Sequence, residues 1–200
     1  MIVKICGITA VEDARAAAEA GADWIGLNFS PTSRRCVPRE EAARIADAVR
    51  AKVKIVGVFV NQPRTEIEET ARAVGLELVQ LHGDEPEEAW QDLAWPVIRA
   101  VRFRAGSELP SFRRAAYVLV DSYVPGTYGG SGQVAPWREV RDYAWSKPVI
   151  LAGGLDPDNV AEAIRVVAPF GVDVATGVEV APGKKDPVAM RRFVEHAKTA

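Results

Sequence analysis

The sequence predicts a single (β/α)₈ barrel that spans residues 1–200 as one domain. Eight short apolar segments, rich in β-branched residues, recur along the whole chain at about 25 residues per strand–helix unit. These segments are continuous rather than alternating, which is typical of parallel strands buried on both faces. Helical segments lie between several of them, and no linker or low-complexity segment divides the chain.

The eight predicted strands are spaced regularly from the first residues to the last quarter of the chain. They are IVKIC from Ile2, DWIGLNF from Asp23, KIVGVFV from Lys54, LELVQL from Leu76, PVIRAV from Pro96, YVLVD from Tyr117, PVILA from Pro148 and GVDVA from Gly171. An open doubly wound sheet is the alternative, but it usually has fewer strands and a GxGxxG turn after the first. Here Cys-Gly-Ile-Thr follows strand one, which favours the closed barrel.

Helices are predicted after most strands. The clearest segments are 11–20, 38–49, 64–74, 156–167 and 186–198. In the last two, Asp156 and Asp186 stand at the N-cap position and are each followed by proline, a frequent first helical residue. The helices after strands four and five, within 85–93 and 107–115, are expected to be short. The stretch 122–135 is expected to form a long irregular loop, which in a compact domain is usually functional or mobile.

Composition excludes several classes of protein. With 48% apolar and 26% charged residues and a net charge of −2, the chain is globular and has no field that would attract nucleic acid or an anionic membrane. No apolar run reaches the roughly 20 residues of a membrane span. The N-terminal stretch is short and carries Lys4, unlike a signal peptide. Only two cysteines occur, so we expect a cytoplasmic protein without a disulfide scaffold.

Residues at the predicted strand ends are the candidates for chemistry, because barrel enzymes place their sites at the C-terminal ends of the strands. We expect these residues to converge on one mouth: Cys6, Asn28, Ser33, Arg34, Arg35, Gln80, His82, Asp121, Gly153, Gly154, Asp173, Thr176 and Gly177. Structural alternatives remain open, with Cys6 as a small buried apolar residue, Asp121 as the cap of a turn and His82 as part of a turn. Lys4 is expected to face away from Cys6.

Glycines after strands seven and eight indicate an anion site. Gly153 and Gly154 in AGGL, and Thr176 and Gly177 in TGVE, leave backbone N–H groups accessible. In barrels these two loops and a short extra helix commonly bind phosphate, and Thr176 and Gly177 are expected to begin that helix. A phosphorylated small molecule is therefore the predicted ligand. The histidines and cysteines lack metal-ligand spacing, and no metal or other cofactor is expected.

Nine sequence motifs resemble those of phosphoribosylanthranilate isomerase, in the same order and over nearly the whole chain. They are KICGIT, SRRCV, VGVFVN, VQLHGDE, LVDS, GGSG, LAGGLDPDNV, GVDVATGVE and PGKKD. The resemblance implies a cofactor-free (β/α)₈ enzyme of tryptophan biosynthesis. It would convert N-(5-phosphoribosyl)anthranilate to 1-(2-carboxyphenylamino)-1-deoxyribulose 5-phosphate by an Amadori rearrangement.

Position by position, the resemblance implies that Cys6 is the general base and Asp121 the general acid. It places Arg35 at the anthranilate carboxylate and phosphate at Gly153-Gly154 and 175–177. His82 and Asp173 are expected among the substrate-binding residues. Ala175 and Thr176 replace two serines that are common in the family, and Ala135-Pro136-Trp137 replaces a Phe-Asp-Trp run.

Two other function classes remain open at this point. One is another phosphosugar barrel isomerase, of the ProFAR or dual-substrate type, which has an aspartate where Cys6 stands. The other is a non-catalytic phosphosugar-binding module, which has no need of both Cys6 and Asp121 at the rim. In each case the expected partner is a small phosphoribosyl molecule, and the chain is expected to be a monomer or a homodimer.

Overall fold

Eight parallel strands form a closed barrel in chain order, with β8 pairing with β1. The computed structural model describes residues 1–104, 106, 109, 112–122 and 135–200. The strands are β1 Ile2–Cys6, β2 Trp24–Asn28, β3 Lys54–Phe59, β4 Leu78–Leu81, β5 Val97–Phe103, β6 Tyr117–Ser122, β7 Val149–Leu151 and β8 Gly171–Val174. The predicted fold class is confirmed, and the pairing of β8 with β1 excludes the open doubly wound sheet.

Alternate residues of each strand point into the barrel, because successive side chains in a strand alternate between its two faces. Their lower layers form an apolar interior cluster of Trp24, Val56, Leu78, Ile98, Ala100, Leu119, Ile150 and Ala152. The larger apolar cluster packs the outer face of the strands against the helices. Since the interior is filled below, the inward-facing polar residues near the strand C-termini form the floor and wall of the mouth.

Six helices surround the strands: α1 Val11–Glu19, α2 Arg39–Val49, α3 Arg64–Val74, α4 Trp137–Asp142, α5 Val160–Val167 and α6 Pro187–Thr199. The predicted cap of α6 is confirmed, since Asp186 Oδ1 accepts hydrogen bonds from the N–H groups of Val188 and Ala189. The predicted start at Asp156 is wrong. Its carboxylate accepts two N–H bonds within a preceding turn, and α5 begins only at Val160.

Several of the connections that follow the strands at the mouth of the barrel lack the single regular helix that a (β/α)₈ unit contains. The helix predicted within 85–93, after β4, is expected to be short. The structure has a single 3₁₀ turn there, Glu87–Ala89. The segment 107–115 is described only in part, and residues 123–134, with the GGSG motif and most of the predicted loop, lie outside the described residues. After β8 the chain forms a 3₁₀ turn, Thr176–Val178, and then an antiparallel hairpin of β9 Glu179–Ala181 and β10 Lys184–Lys185.

Helix α4 and the β9–β10 hairpin are not predicted from the sequence. In the described part of the chain, no helix is long and apolar enough to cross a membrane.

Candidate active site

A cavity of about 790 Å³ opens at the C-terminal ends of the strands. All nine residues predicted for the site line it: Cys6, Arg35, His82, Asp121, Gly153, Gly154, Asp173, Thr176 and Gly177. They come from β1, β6 and β8, from the loops after β2, β4 and β7, and from the turn after β8, so residues far apart in sequence meet at one place. Cys36 does not line the cavity and is exposed.

Cys6 lies at the end of β1 with its sulfur buried beside a fully buried lysine. Lys4 is 0% exposed, and its Nζ donates a 2.8 Å hydrogen bond to Asp173 Oδ1 on the neighbouring strand β8. The expectation that Lys4 faces away from Cys6 is wrong. Residues two apart in a strand share a face, so both side chains point into the barrel.

Opposing effects set the ionisation of this pair. Burial raises the pKa of the Cys6 thiol above its ordinary value, although the charges of Lys4 and Lys185 act in the other direction. Burial alone lowers the pKa of Lys4, but the Asp173 carboxylate and the Cys6 sulfur outweigh it and the pKa is raised. At neutral pH the free protein therefore holds a charged Lys4 beside a thiol that is mostly protonated.

Asp121 faces the cavity from β6 and is 5% exposed. Its Oδ1 accepts the N–H of Ser122, while its Oδ2 lies 3.4 Å from His82 Nε2. On the far side of the ring, Gln80 Nε2 lies 3.0 Å from His82 Nδ1. The imidazole of His82 therefore lies between the Gln80 amide and the Asp121 carboxylate.

Arg35 reaches the cavity by lying across Gly7, at the end of β1. A Cβ atom on Gly7, whose φ is +73°, would collide with the Arg35 side chain. The guanidinium forks onto Glu179, with Nε 2.8 Å from Oε1 and Nη2 2.6 Å from Oε2. Nη2 also donates to Thr176 Oγ1 at 3.3 Å, and among the described residues Nη1 makes no hydrogen bond, so Nη1 is the nitrogen left for a ligand.

Glu179 joins Arg35 to a second buried cation. Its Oε1 also accepts from Lys185 Nζ at 2.8 Å, and that ammonium donates in addition to the backbone carbonyl of Ala175. Burial by itself raises the pKa of Glu179, but the two cations hold it below its ordinary value. Neither Glu179 nor Lys185 is predicted from the sequence as a site residue, although the motifs GVDVATGVE and PGKKD contain them.

The glycine loops after β7 and β8 touch one another beside the cavity. Gly153 and Gly154 have φ of +80° and +65°, a backbone conformation in which glycine is favoured. A Cβ atom on Gly177 would collide with the carbonyl oxygen of Leu155, so the two loops approach as closely as backbone atoms allow. Where residues are described, no group of three or more His, Cys, Asp or Glu side chains is placed to hold a metal ion.

Comparison with known proteins adds the family. Residues 3–196 match the family model described as N-(5'phosphoribosyl)anthranilate (PRA) isomerase. The chain belongs to the phosphoribosylanthranilate isomerase family. A relative named N-(5'-phosphoribosyl)anthranilate isomerase, from Geobacter sulfurreducens, is 46% identical over 198 residues, which are 98% of this chain and 98% of the relative.

Solved phosphoribosylanthranilate isomerases have the same fold over the whole chain. The crystal structure from Thermotoga maritima is 39% identical with a TM-score of 0.89, and the match covers 100% of each chain. Another, in complex with reduced 1-(O-carboxyphenylamino)-1-deoxyribulose 5-phosphate, is 38% identical with a TM-score of 0.83, again over 100% of each chain. The predicted activity, phosphoribosylanthranilate isomerisation in tryptophan biosynthesis, and the predicted enzyme class are confirmed.

Proposed function

We propose that the isomerisation runs in this cavity by general acid–base catalysis, with Cys6 as the base and Asp121 as the acid. One observation carries the proposal: both groups are inward-facing and line the same cavity from strands β1 and β6, which β7 and β8 separate around the ring. Two proton-transferring groups so placed can act on different atoms of one bound sugar.

The Amadori chemistry needs one proton added and one removed. Asp121, as the carboxylic acid, protonates the ring oxygen of the ribose, and the ring opens to a Schiff base. The Schiff base acidifies the hydrogen on sugar C2, which the Cys6 thiolate removes to give an enolamine. Protonation at C1 and loss of the hydroxyl proton at C2 then yield the ketone, so the substrate is neither oxidised nor reduced overall.

The remaining cavity residues match the two ends of the substrate. The Arg35 guanidinium, through Nη1, offers N–H donors and a positive charge to the anthranilate carboxylate. Gly153, Gly154, Thr176 and Gly177 surround the space for phosphate with backbone N–H groups. In this proposal His82 and Asp173 form the wall between the two ends, beside the sugar.

The partner in this proposal is a small phosphoribosyl molecule, and the chemistry uses no cofactor. Residues 1–200 act as one barrel domain. A cytoplasmic location, a monomeric or homodimeric state and the absence of nucleic acid and membrane partners stay predictions from the sequence.

Substitution of the two proton-transferring groups tests the proposal. Cys6→Ser replaces a thiol by a hydroxyl that hardly ionises, and Asp121→Asn removes the transferable proton at constant size. Each variant should lower kcat by at least ~10²-fold with a much smaller change in KM, because the lost interactions act in the transition state. The measurement is the loss of anthranilate fluorescence with freshly generated substrate.

Cys36→Ser is the matched control, since it makes the same chemical change at the exposed cysteine outside the cavity. It should keep the wild-type kcat. The rising limb of kcat/KM should lie above the ordinary thiol pKa of about 8.5, because burial raises the pKa of Cys6, and Cys6→Ser should abolish it. A Cys6→Ser enzyme with near wild-type kcat would return Cys6 to the role of a small buried residue.

A further inference from the structure

Lys4 takes no part in the acid–base steps proposed above, yet it is among the most completely buried side chains of the protein. Its register neighbours on the two flanking strands are Trp24 and Asp173. Removing an ammonium and a carboxylate from water is costly, and an apolar pair of similar volume is often as stable or more so. The packing of the barrel interior therefore does not by itself account for a charged pair at this level.

Gly26 brings the Lys4 ammonium and the Cys6 sulfur to the same small space. This residue of β2 pairs with Cys6 in the sheet. A Cβ atom on Gly26 would lie 2.6 Å from Cys6 Sγ and 3.1 Å from Lys4 Nζ. Because glycine has no side chain, nothing from β2 comes between the ammonium and the sulfur.

We propose that Lys4 is a positioning residue of the isomerase reaction, whose ammonium group, held by Asp173, is the counter-charge of the Cys6 thiolate. The inference rests on the proposed role of Cys6 as the base. Lys4 does not line the cavity, so it acts on the substrate through its neighbours Cys6 and Asp173, which do, and the ionisation of Cys6 isolates the first of these effects.

Four charged groups act on Cys6, and three of them are cations. Lys4 comes from β1, Asp173 from β8, Lys185 from β10 and Arg35 from the loop after β2. Each cation is paired with a carboxylate, Lys4 with Asp173 and the other two with Glu179, so pairing does not distinguish them. Lys4 is distinguished by its position beside the sulfur at Gly26, and it is the group that most favours the thiolate.

In this proposal Cys6 exchanges a proton during the reaction and Lys4 does not. The thiol releases its proton to solvent through the cavity, and the resulting thiolate later accepts the proton from sugar C2. Lys4 stays protonated throughout, because Asp173 and the sulfur both favour its charged form. No redox partner or covalent intermediate is required.

The test measures ionisation of Cys6 directly. In a Cys36→Ser background Cys6 is the only thiol of the chain, so its thiolate can be followed by ultraviolet absorbance and by the pH dependence of alkylation with iodoacetamide. Lys4→Met should move the midpoint upward by about one pH unit or more, which lowers the thiolate fraction about tenfold at a given pH below the midpoint. Lys4→Arg keeps the charge and should restore most of the shift.

The double variant Lys4→Met/Asp173→Asn covers the case in which Lys4→Met does not fold because Asp173 is left unpaired. It removes both charges, and the midpoint should still move upward, by less, since Asp173 no longer disfavours the thiolate. Circular dichroism and thermal unfolding identify the folded variants. A folded Lys4→Met or double variant with the wild-type midpoint would overturn the inference, whereas a wild-type kcat in Cys6→Ser would overturn only the role of Cys6 as base.

Discussion

The Arg35 guanidinium is held in place before any ligand arrives. Glu179 binds two of its nitrogens, and Gly7 provides the space for its stem. A guanidinium group that is already oriented loses less side-chain entropy when a carboxylate binds to its remaining nitrogen, Nη1. The ion pair with Glu179 is thus part of the binding site that we propose for anthranilate.

Removal of Arg35 tests this assignment at the residue scale. Arg35→Met should weaken apparent substrate binding by about 2–5 kcal/mol if the ion pair with the ligand is desolvated. The fold should tolerate the change, because Glu179 keeps Lys185 as its partner. The measurement is KM together with the affinity for a product analogue.

Arg34→Met is the control for Arg35→Met. Arg34 is exposed, and its replacement is the same chemical change at the preceding position of the same loop. Its effect should be much smaller. Equal losses for the two variants would show that the loop contributes only general positive charge.

The residues that line the cavity could be predicted from the sequence, but most of the contacts between them could not. Cys6, Arg35 and Asp121 could be located because each follows a recognisable strand or motif. The contact between Lys4 and Cys6 was also within reach, because a spacing of two in a strand fixes a common face. By contrast, the bond between Arg35 and Glu179 joins residues 144 positions apart, and no local pattern indicates such a contact.

At the scale of elements, the hairpin β9–β10 supplies two of the buried charges in the site. Its strands contain three and two residues, too few for an alternating or continuous apolar pattern, and it was not predicted. The six-residue helix α4 was missed for the same reason. The eight barrel strands could be predicted because burial on both faces leaves a continuous apolar run in each sequence.

The glycine loop after β7 gives the prediction at this scale. Gly154→Asp adds bulk and a negative charge where we place the phosphate, and KM should rise strongly while thermal stability falls modestly. Competition by inorganic phosphate, read from its inhibition constant, should weaken in parallel.

Gly21→Asp is the matched control for Gly154→Asp. Gly21 also has a positive φ, +92°, but it follows α1 and does not line the cavity. It should show a similar loss of stability with an unchanged KM. An unchanged KM in Gly154→Asp as well would mean that phosphate binds elsewhere.

At the scale of the whole molecule, buried ionisable groups set the pH range of stability. The pKa of Glu179 is lowered in the folded state, so its contribution is present above the unfolded value of about 4.3 and is lost as pH falls through the folded pKa. The pKa of Cys6 is raised, so its contribution is present below about 8.5 and is lost as pH rises.

Urea unfolding at a series of pH values measures both effects. Glu179→Gln should reduce the slope of the unfolding free energy against pH on the acid side. The reduction corresponds to at most one bound proton, or about 1.4 kcal/mol per pH unit. Cys6→Ser should flatten the alkaline side and leave the acid side unchanged. The assignment fails if either variant keeps the full wild-type slope on its own side.

The burial of Cys6 also affects how readily peroxide reacts with its sulfur. Peroxide attacks the thiolate and not the thiol, and the first product is a sulfenic acid. Because burial raises the pKa of the Cys6 thiol, the free protein presents less of this reactive form. The interior that surrounds the Cys6 sulfur thus also limits its oxidation, whereas Cys36 is exposed to solvent and does not line the cavity.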